Sequence, residues 1–180
     1  MNKNPWITHS SKTMYQNPWI EVTEHEVTNP GGGKNLYGKV HFKNYALGIL
    51  ALDEEMNTWL VGQWRYPLNE YSWELPMGGG PLDQDRLESA KKELKEETGI
   101  TATHWQEITK IHLSNSVSDE VGYGYLAQGL SFGETAFEET EDLEIRKLPL
   151  KEAVEMCLNG EITDSLSVAT ILAMGRKLGI

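Results

Sequence analysis

Hydrophobic and polar residues alternate along much of the first quarter of the chain, a period typical of β-strands. Residues 19–27 alternate at Ile20 and Val22 before the pattern slips, and residues 36–42 alternate along their whole length. Between them, residues 29–33 read Asn-Pro-Gly-Gly-Gly, the strongest turn signal in the sequence. The pattern predicts a β-hairpin. An isolated hairpin is marginal in water, so this one needs a surface to pack on, its own core or a partner chain.

The rest of the chain mixes strands with helices. A continuous apolar run at residues 45–52 predicts a buried strand, whereas residues 86–97 and 165–178 have the spacing of helices. Asp85 is a candidate N-cap for the first helix, and Gly99 stands where a left-handed C-cap would end it. Further strands are expected at 58–64, 105–113, 122–127 and 143–148, and a further helix at 150–159. This order favours an α/β sandwich that contains a mixed sheet.

Composition and charge exclude several classes of protein. The 180 residues include 16 basic and 27 acidic side chains, a formal net charge of −11, which disfavours nucleic acid because basic side chains supply most of that affinity. The longest apolar run is far shorter than the roughly 18 residues of a membrane span, and the first residues lack a signal-peptide pattern. The single cysteine, Cys157, fits a reducing cytoplasm. We therefore expect a cytoplasmic protein that binds neither nucleic acid nor a membrane.

Three carboxylates fall on one side of the predicted helix. Glu93, Glu96 and Glu97 are spaced by three or four residues, so their side chains project together and repel one another. A cation between them would reverse the sign of that interaction, and carboxylate oxygens suit Mg²⁺ or Mn²⁺. The other interpretation is a solvated helix face with ion pairs such as Lys92 with Glu96. The spacing alone leaves both interpretations open.

The segment around this helix resembles the Nudix box, a motif of fixed internal spacing. The resemblance begins at Gly78 and has these residues in register: Glu93, Leu94, Glu96, Glu97, Gly99 and Ile100. Gln84 and Lys92 stand where the box has Glu and Arg. The resemblance implies an α/β/α sandwich around a mixed sheet. It also implies an enzyme that uses Mg²⁺, or Mn²⁺, to hydrolyse a nucleoside diphosphate linked to another moiety.

The same resemblance assigns roles to individual residues. Glu93, Glu96 and Glu97 would bind the metal, together with the backbone carbonyl of Met77, and both Glu96 and Glu97 would act in catalysis. Gly78 would let the backbone approach the substrate closely.

Segments on both sides of the box resemble the corresponding segments of one branch of the Nudix family, whose members hydrolyse ADP-ribose and other nucleoside diphosphate sugars. Residues 62–78 are similar to the approach to the box in that branch, and residues 114–120 to a later loop in which Asn115 replaces the usual proline. The implied substrate is ADP-ribose, with GDP-mannose next, and the implied products are a nucleoside monophosphate and a sugar phosphate. Glu141 is the best match to a catalytic carboxylate of an acidic loop, with Glu139 second.

In this branch an N-terminal antiparallel sheet builds a homodimer, and its aromatic residues sandwich the nucleobase. The resemblance therefore makes residues 1–43 a dimerisation segment, a hairpin or small sheet, and residues 44–180 the Nudix domain. Trp19 and Tyr37 match the aromatic positions, although Trp19 in a hairpin or dimer core is the alternative. Trp6 is a weaker candidate, in an Asn-Pro-Trp-Ile phrase that recurs at residues 17–20.

Arg65 has two interpretations, a bidentate phosphate contact and a structural ion pair with Glu74. Glu74 would then either pair with Arg65 or touch the substrate.

Two other functions stay open on the sequence alone. One is an RNA 5′-pyrophosphohydrolase or dinucleoside polyphosphate hydrolase, which the net charge and the dimer-like hairpin disfavour. The other is a catalytically silent Nudix module that binds a nucleotide, which Gln84 and Lys92 keep open.

Overall fold

The computed structural model describes residues 3–136 and 142–180, in a chain that divides into two compact units. The first unit comprises Met1–Asn44 and His112–Glu120, and the second comprises Tyr45–Ile111 and Val121–Ile180. The stretch His112–Glu120 therefore belongs with the N-terminal residues, although it lies far from them in sequence. Within the described residues, every helix is too short or too polar to cross a membrane.

The first unit contains a three-stranded antiparallel sheet in the order β1-β2-β3. Its strands are β1 (Ile7–Gln16), β2 (Ile20–Thr28) and β3 (Lys34–Phe42). Strands β2 and β3 form the predicted hairpin, and in its turn the side chain of Asn29 accepts hydrogen bonds from the N–H groups of Gly31 and Gly33, both at 3.0 Å. Strand β1 is not evident in the sequence because all ten of its residues are exposed, so no buried face imposes an alternation.

The loop His112–Glu120 lies along β3. The N–H of Val40 donates to the carbonyl of Val117 at 2.8 Å, and the N–H of Asp119 donates to the carbonyl of Val40 at 3.2 Å. The carboxylate of Asp119 accepts the N–H of Phe42 at 3.0 Å. These bonds satisfy backbone groups at the edge of the sheet that would otherwise face water.

The second unit contains two sheets and three helices. One sheet is antiparallel in the order β10-β5-β6, and the other is mixed, in the order β7-β4-β9-β8 with a parallel β4–β9 pair. The elements are β4 (Asn44–Ala51), β5 (Asn57–Arg65), β6 (Glu70–Glu74), β7 (Met77–Pro81), α1 (Arg86–Thr98), β8 (Ile100–His112), β9 (Val121–Phe132), β10 (Glu144–Pro149), α2 (Leu150–Leu158) and α3 (Ser165–Leu178).

Helices cover both faces of the central strand β4. Its side chains alternate, as expected for a strand buried on both sides. Leu47 and Ile49 pack in one cluster with Leu94 of α1, whereas Leu50 packs in a second cluster with Ile171 of α3. The second unit is therefore an α/β/α sandwich around a mixed sheet.

Helix α1 has the predicted caps. The side chain of Asp85 accepts hydrogen bonds from the N–H groups of Leu87 and Glu88, at 2.8 and 3.0 Å. Gly99 ends the helix in the left-handed conformation, with φ of 69°, and its N–H donates to the carbonyl of Lys95 at 2.8 Å. The caps fix where the helix begins and ends, and hence which of its residues face strand β7.

Candidate active site

The carboxylate of Glu93 on α1 lies directly against the backbone of β7 at Gly78. A Cβ atom added at Gly78 would lie 2.8 Å from Cγ of Glu93 and closer still to its carboxylate. Any larger residue would therefore displace this side chain, which explains physically why a glycine occupies the position.

The carboxylate of Glu97 reaches the same stretch of backbone. It is 2% exposed, and its Oε2 accepts a hydrogen bond from the N–H of Met77 at 2.9 Å. A buried carboxylate needs such partners, because burying a charge without them is costly. The peptide that joins Met77 to Gly78 thus runs past two carboxylates of α1. This set of oxygen donors has the chemistry that a hard divalent cation prefers.

Glu96 is held differently. Its carboxylate forms an i,i+4 ion pair with the ammonium of Lys92 at 3.1 Å, which is the pair that the solvated-face interpretation predicts. Across residues 3–136 and 142–180, no group of three His, Cys, Asp or Glu side chains lies ready to hold a metal ion. The metal-ligand roles of Glu93, Glu96, Glu97 and Met77 therefore stay predictions.

Arg65 and Glu74 form an ion pair in which two nitrogens of the guanidinium contact the two carboxylate oxygens. The Nε of Arg65 donates to Oε1 of Glu74 at 2.9 Å, and a terminal nitrogen donates to Oε2. The hydrogen bond with Glu74 raises the pKa of Arg65, burial opposes this, and the charges of Asp164 and Glu97 add to the rise. Glu74 is 3% exposed, so it needs this partner. The ion pair is present, and the phosphate contact by Arg65 stays a prediction.

Trp19 and Tyr37 lie toward opposite ends of the N-terminal sheet. Trp19 precedes Ile20, which pairs with Phe42, whereas Tyr37 pairs with His25. Tyr37 and Phe42 are five positions apart, a distance of about 17 Å at roughly 3.3 Å per residue. Trp19 is 64% exposed, so it does not pack into the core of its own hairpin. The structure does not bring these two rings together within one chain.

The ring that does meet Tyr37 is that of Trp6. The two centroids are 5.4 Å apart and the planes are near perpendicular, at 81°. The hydroxyl of Tyr37 also donates to the carbonyl of Ser116. The signal for Trp6 is the repeated Asn-Pro-Trp-Ile phrase. In both copies the asparagine side chain accepts the backbone N–H of the tryptophan: Asn4 accepts from Trp6 at 3.0 Å and Asn17 from Trp19 at 2.9 Å.

The acidic-loop candidates Glu139 and Glu141 lie outside the described residues. Shortly after them, Glu144 begins β10 and accepts a hydrogen bond from the hydroxyl of Tyr71 at 3.1 Å. Burial raises the pKa of Tyr71, and the bond to Glu144 adds to that rise. Nothing in the sequence pattern points to Tyr71, because the contact joins strands 73 residues apart.

Comparison with known proteins identifies the family of this chain. Residues 43–166 match the family model described as the NUDIX domain. The chain belongs to the Nudix family. Residues 6–40 match a second model, the nucleoside diphosphate sugar hydrolase N-terminal domain. The predicted membership of the Nudix family is thus confirmed, and the chain is a Nudix hydrolase.

The relatives of this Nudix chain include two curated ADP-ribose pyrophosphatases. That of Mycobacterium tuberculosis is 33% identical over 97% of the chain and 85% of the relative. That of Bacillus subtilis is 31% identical over 70% of the chain and 69% of the relative. A solved structure, "Crystal structure of ADP compounds hydrolase", superposes with a TM-score of 0.87 at 17% identity, covering 99% of this chain and 97% of the other. It confirms the predicted fold.

Proposed function

We propose that this Nudix hydrolase cleaves the pyrophosphate bond of a nucleoside diphosphate sugar, with ADP-ribose as the first candidate and GDP-mannose next. The products would be a nucleoside monophosphate and a sugar phosphate. The observation that carries the proposal is the convergence of Glu93 and Glu97 on the backbone at Met77 and Gly78. Two relatives named ADP-ribose pyrophosphatases and the match of residues 6–40 support the class of substrate.

We assign a divalent cation, Mg²⁺ or Mn²⁺, to Glu93, Glu96, Glu97 and the carbonyl of Met77. When bound, such a cation lowers the pKa of a bound water and neutralises charge on pyrophosphate oxygens. The chain's own part is to hold these oxygens in place: the N–H of Met77 orients Glu97, and the ammonium of Lys92 orients Glu96. Lys92 does this as a point charge, without the planar fork of the usual arginine.

The remaining roles concern the substrate. Arg65, oriented by Glu74, would present N–H groups to a phosphate, and Gly78 would bring the backbone close to it. Glu141 would act as a base or as a further ligand.

The nucleobase would stack on the exposed aromatic rings of the N-terminal sheet, Trp19 and Tyr37. Because these lie toward opposite ends of one sheet, a sandwich of one base would take one ring from each of two protomers. A homodimer is therefore part of the proposal, with residues 1–43 as its dimerisation segment. A reducing cytoplasm is the proposed location, in keeping with the single cysteine.

Replacing Glu97 tests the proposal. The substitution Glu97→Gln keeps an oxygen for the N–H of Met77 but removes the charge, so the fold should persist while turnover of ADP-ribose with Mg²⁺ falls at least about 100-fold. The measurement is the initial rate of AMP release, with circular dichroism as the check on folding.

The matched control is Glu155→Gln, which removes an exposed carboxylate from α2. It should retain the wild-type rate. If Glu97→Gln is folded and turns over ADP-ribose as fast as this control, the assignment of Glu97 is wrong.

A further inference from the structure

Residues 74–77 carry the backbone from the end of β6 to the start of β7, where it meets the carboxylates of α1. The two ends of this segment are held by Arg65 of β5 and Glu97 of α1. Between these ends, the carbonyl of Pro76 accepts the N–H of Ile49 on β4 at 2.9 Å. Three elements of the second unit therefore fix the segment that leads to the candidate active site.

A fourth element, α3, contributes the side chain of Ser167. Its hydroxyl oxygen accepts the N–H of Leu75 at 3.0 Å, and both residues are fully buried. Leu75 lies between β6 and β7 in the chain, outside both strands, and a buried N–H that lacks a partner is costly. None of the roles proposed above uses Ser167.

The first turn of α3 holds Ser167 in place. Asp164 caps the helix, and its carboxylate accepts the N–H of Ser167 at 2.7 Å. Leu166 packs against β4 so closely that a Cβ added at Gly48 would lie 3.1 Å from its Cγ. The cap and this close packing fix the start of the helix against the sheet. They therefore also fix where the hydroxyl of Ser167 lies.

The link between Leu75 and Met77 is stiff. The ring of Pro76 fixes its own φ, and a residue that precedes a proline is restricted to extended conformations. Neither residue can easily absorb a displacement by rotating its backbone. A displacement of the Leu75 peptide would therefore reach the peptide of Met77.

We infer that Ser167 is a positioning residue for the proposed metal site, because its bond to Leu75 fixes the direction of the Met77 carbonyl. The inference rests on the proposed function, in which that carbonyl binds the cation. Loss of a hydrogen bond that orients a metal ligand typically lowers metal affinity roughly 10- to 100-fold. The alternative is a purely structural role, in which Ser167 contributes only to stability.

The affinity for Mn²⁺ separates these two roles. Ser167→Ala removes the hydroxyl, and we expect the Kd for Mn²⁺ to rise about tenfold. The Kd is measured without substrate, from the electron paramagnetic resonance of the free ion.

The matched control is Thr170→Val, which removes an equally buried hydroxyl one turn further along α3. That hydroxyl bonds to the hydroxyl of Thr109 at 3.0 Å. Both variants should lower the midpoint of urea unfolding, but only Ser167→Ala should change the Kd. An unchanged Kd in Ser167→Ala would overturn the inference. An equal rise in Thr170→Val would also overturn it, because a general loosening of α3 would then explain both.

Hydrogen exchange in the wild type gives a test that does not depend on the folding of any variant. Because coupling between two sites is reciprocal, saturating Mg²⁺ should slow exchange of the Leu75 amide. The control is the equally buried amide of Leu150, which donates to the carbonyl of Met56 at 2.8 Å. Slowing of Leu75 beyond that of Leu150 would support the inference, and equal changes at both amides would overturn it.

The result for Ser167 is distinct from the result for the proposed function. If Ser167→Ala keeps the wild-type Kd in a protein that hydrolyses ADP-ribose, the inference is wrong and the proposed function stands. If Ser167→Ala loses Mn²⁺ affinity in a protein that hydrolyses no sugar nucleotide, the inference stands and the proposed substrate is wrong. Absence of Mn²⁺ binding by the wild type would contradict the metal site and the inference together.

Discussion

At the scale of single residues, Gly78 shows how the lack of a side chain shapes the candidate site. Its Cα leaves room for the carboxylate of Glu93, which a Cβ would approach to less than 3 Å. The atoms in the way are the far end of a flexible side chain, so the fold can absorb the intrusion by moving Glu93. A larger residue at position 78 would therefore disturb the geometry of the site more than it would lower the free energy of unfolding.

Gly78→Ala should accordingly lower turnover of ADP-ribose at least about tenfold while changing the free energy of unfolding by less than about 1 kcal/mol. The measurements are kcat/KM and urea unfolding of the same preparation. Gly38→Ala is the matched control, because nothing lies within 4 Å of a Cβ added at Gly38. Unchanged turnover in Gly78→Ala would show that the position of Glu93 does not matter for catalysis.

At the scale of elements, the docking of His112–Glu120 on β3 depends on one carboxylate. Asp119 accepts from the ring of His41 at 2.8 Å and pairs with Lys39 at 2.7 Å, besides its bond to the N–H of Phe42. Burial acts to raise the pKa of Asp119, but these hydrogen bonds together outweigh it, and the pKa lies below its usual value. The ionised form is thus the one that the folded state favours.

The sign of the pH dependence follows from that shift. A carboxylate with a lowered folded pKa contributes stability that is fully present above its unfolded pKa, about 3.9, and is lost as the pH falls through the folded value. Asp119→Asn should therefore be less stable than the wild type at pH 6. That difference should shrink as the pH falls below about 4.

Urea unfolding from pH 6 to pH 3 checks this, together with hydrogen exchange of the Val40 amide, which bonds to the loop. A stability difference that is the same at both ends of the range would contradict a role for the ionised carboxylate.

The elements also show what the sequence can and cannot predict. Helix α1 is predicted nearly to the residue because its signals are local: an N-cap at Asp85, a left-handed cap at Gly99 and an apolar stripe between them. Strand β1 has no buried face, so no hydrophobic pattern in the sequence indicates it. The pairing of Asp119 with His41 joins residues 78 positions apart, which no local pattern encodes.

In the candidate site, too, the sequence predicts some features, and only the fold determines the others. The positions of Glu93, Glu96 and Glu97 follow from helical spacing, whereas the partner of each depends on tertiary contacts. Lys92 is the partner that spacing offers to Glu96, and the N–H of Met77 is the partner that only the fold offers to Glu97. Spacing likewise could not decide between the two interpretations of Arg65.

At the scale of the whole molecule, strand β1 is the feature that most needs a partner. All its residues are exposed, and they include large apolar side chains such as Met14 and Tyr15, at 54% and 57%. Long exposed edge strands tend to pair with another chain. A second copy of this protein is the proposed partner.

Sedimentation velocity should therefore give twice the protomer mass of 20.3 kDa at micromolar concentration. Met14→Lys should weaken the dimer, because it places a charge on the proposed interface, whereas Leu158→Lys, at a similarly exposed apolar position on α2, should not. A monomer at all concentrations in the wild type would contradict the dimer and the two-protomer base site together.

The net charge of −11 is also a property of the whole molecule, and part of it is concentrated at the candidate site. Glu93, Glu96 and Glu97 contribute three of those charges, and each divalent cation bound there would offset two. On the proposed function, an anionic sugar nucleotide would then meet the protein through cations, whereas a long RNA would still meet the uncompensated acidic surface.

The most direct test of the central claim is a substrate screen of the wild-type protein with Mg²⁺. ADP-ribose, GDP-mannose, UDP-glucose, NADH and a 5′-triphosphate RNA are each incubated with it, and ion-exchange chromatography identifies the monophosphates or the pyrophosphate released. The expected result is the highest kcat/KM with ADP-ribose, AMP and ribose 5-phosphate as products, and no turnover in EDTA. Turnover of the RNA alone, or of none of the sugar nucleotides, would contradict the proposed function.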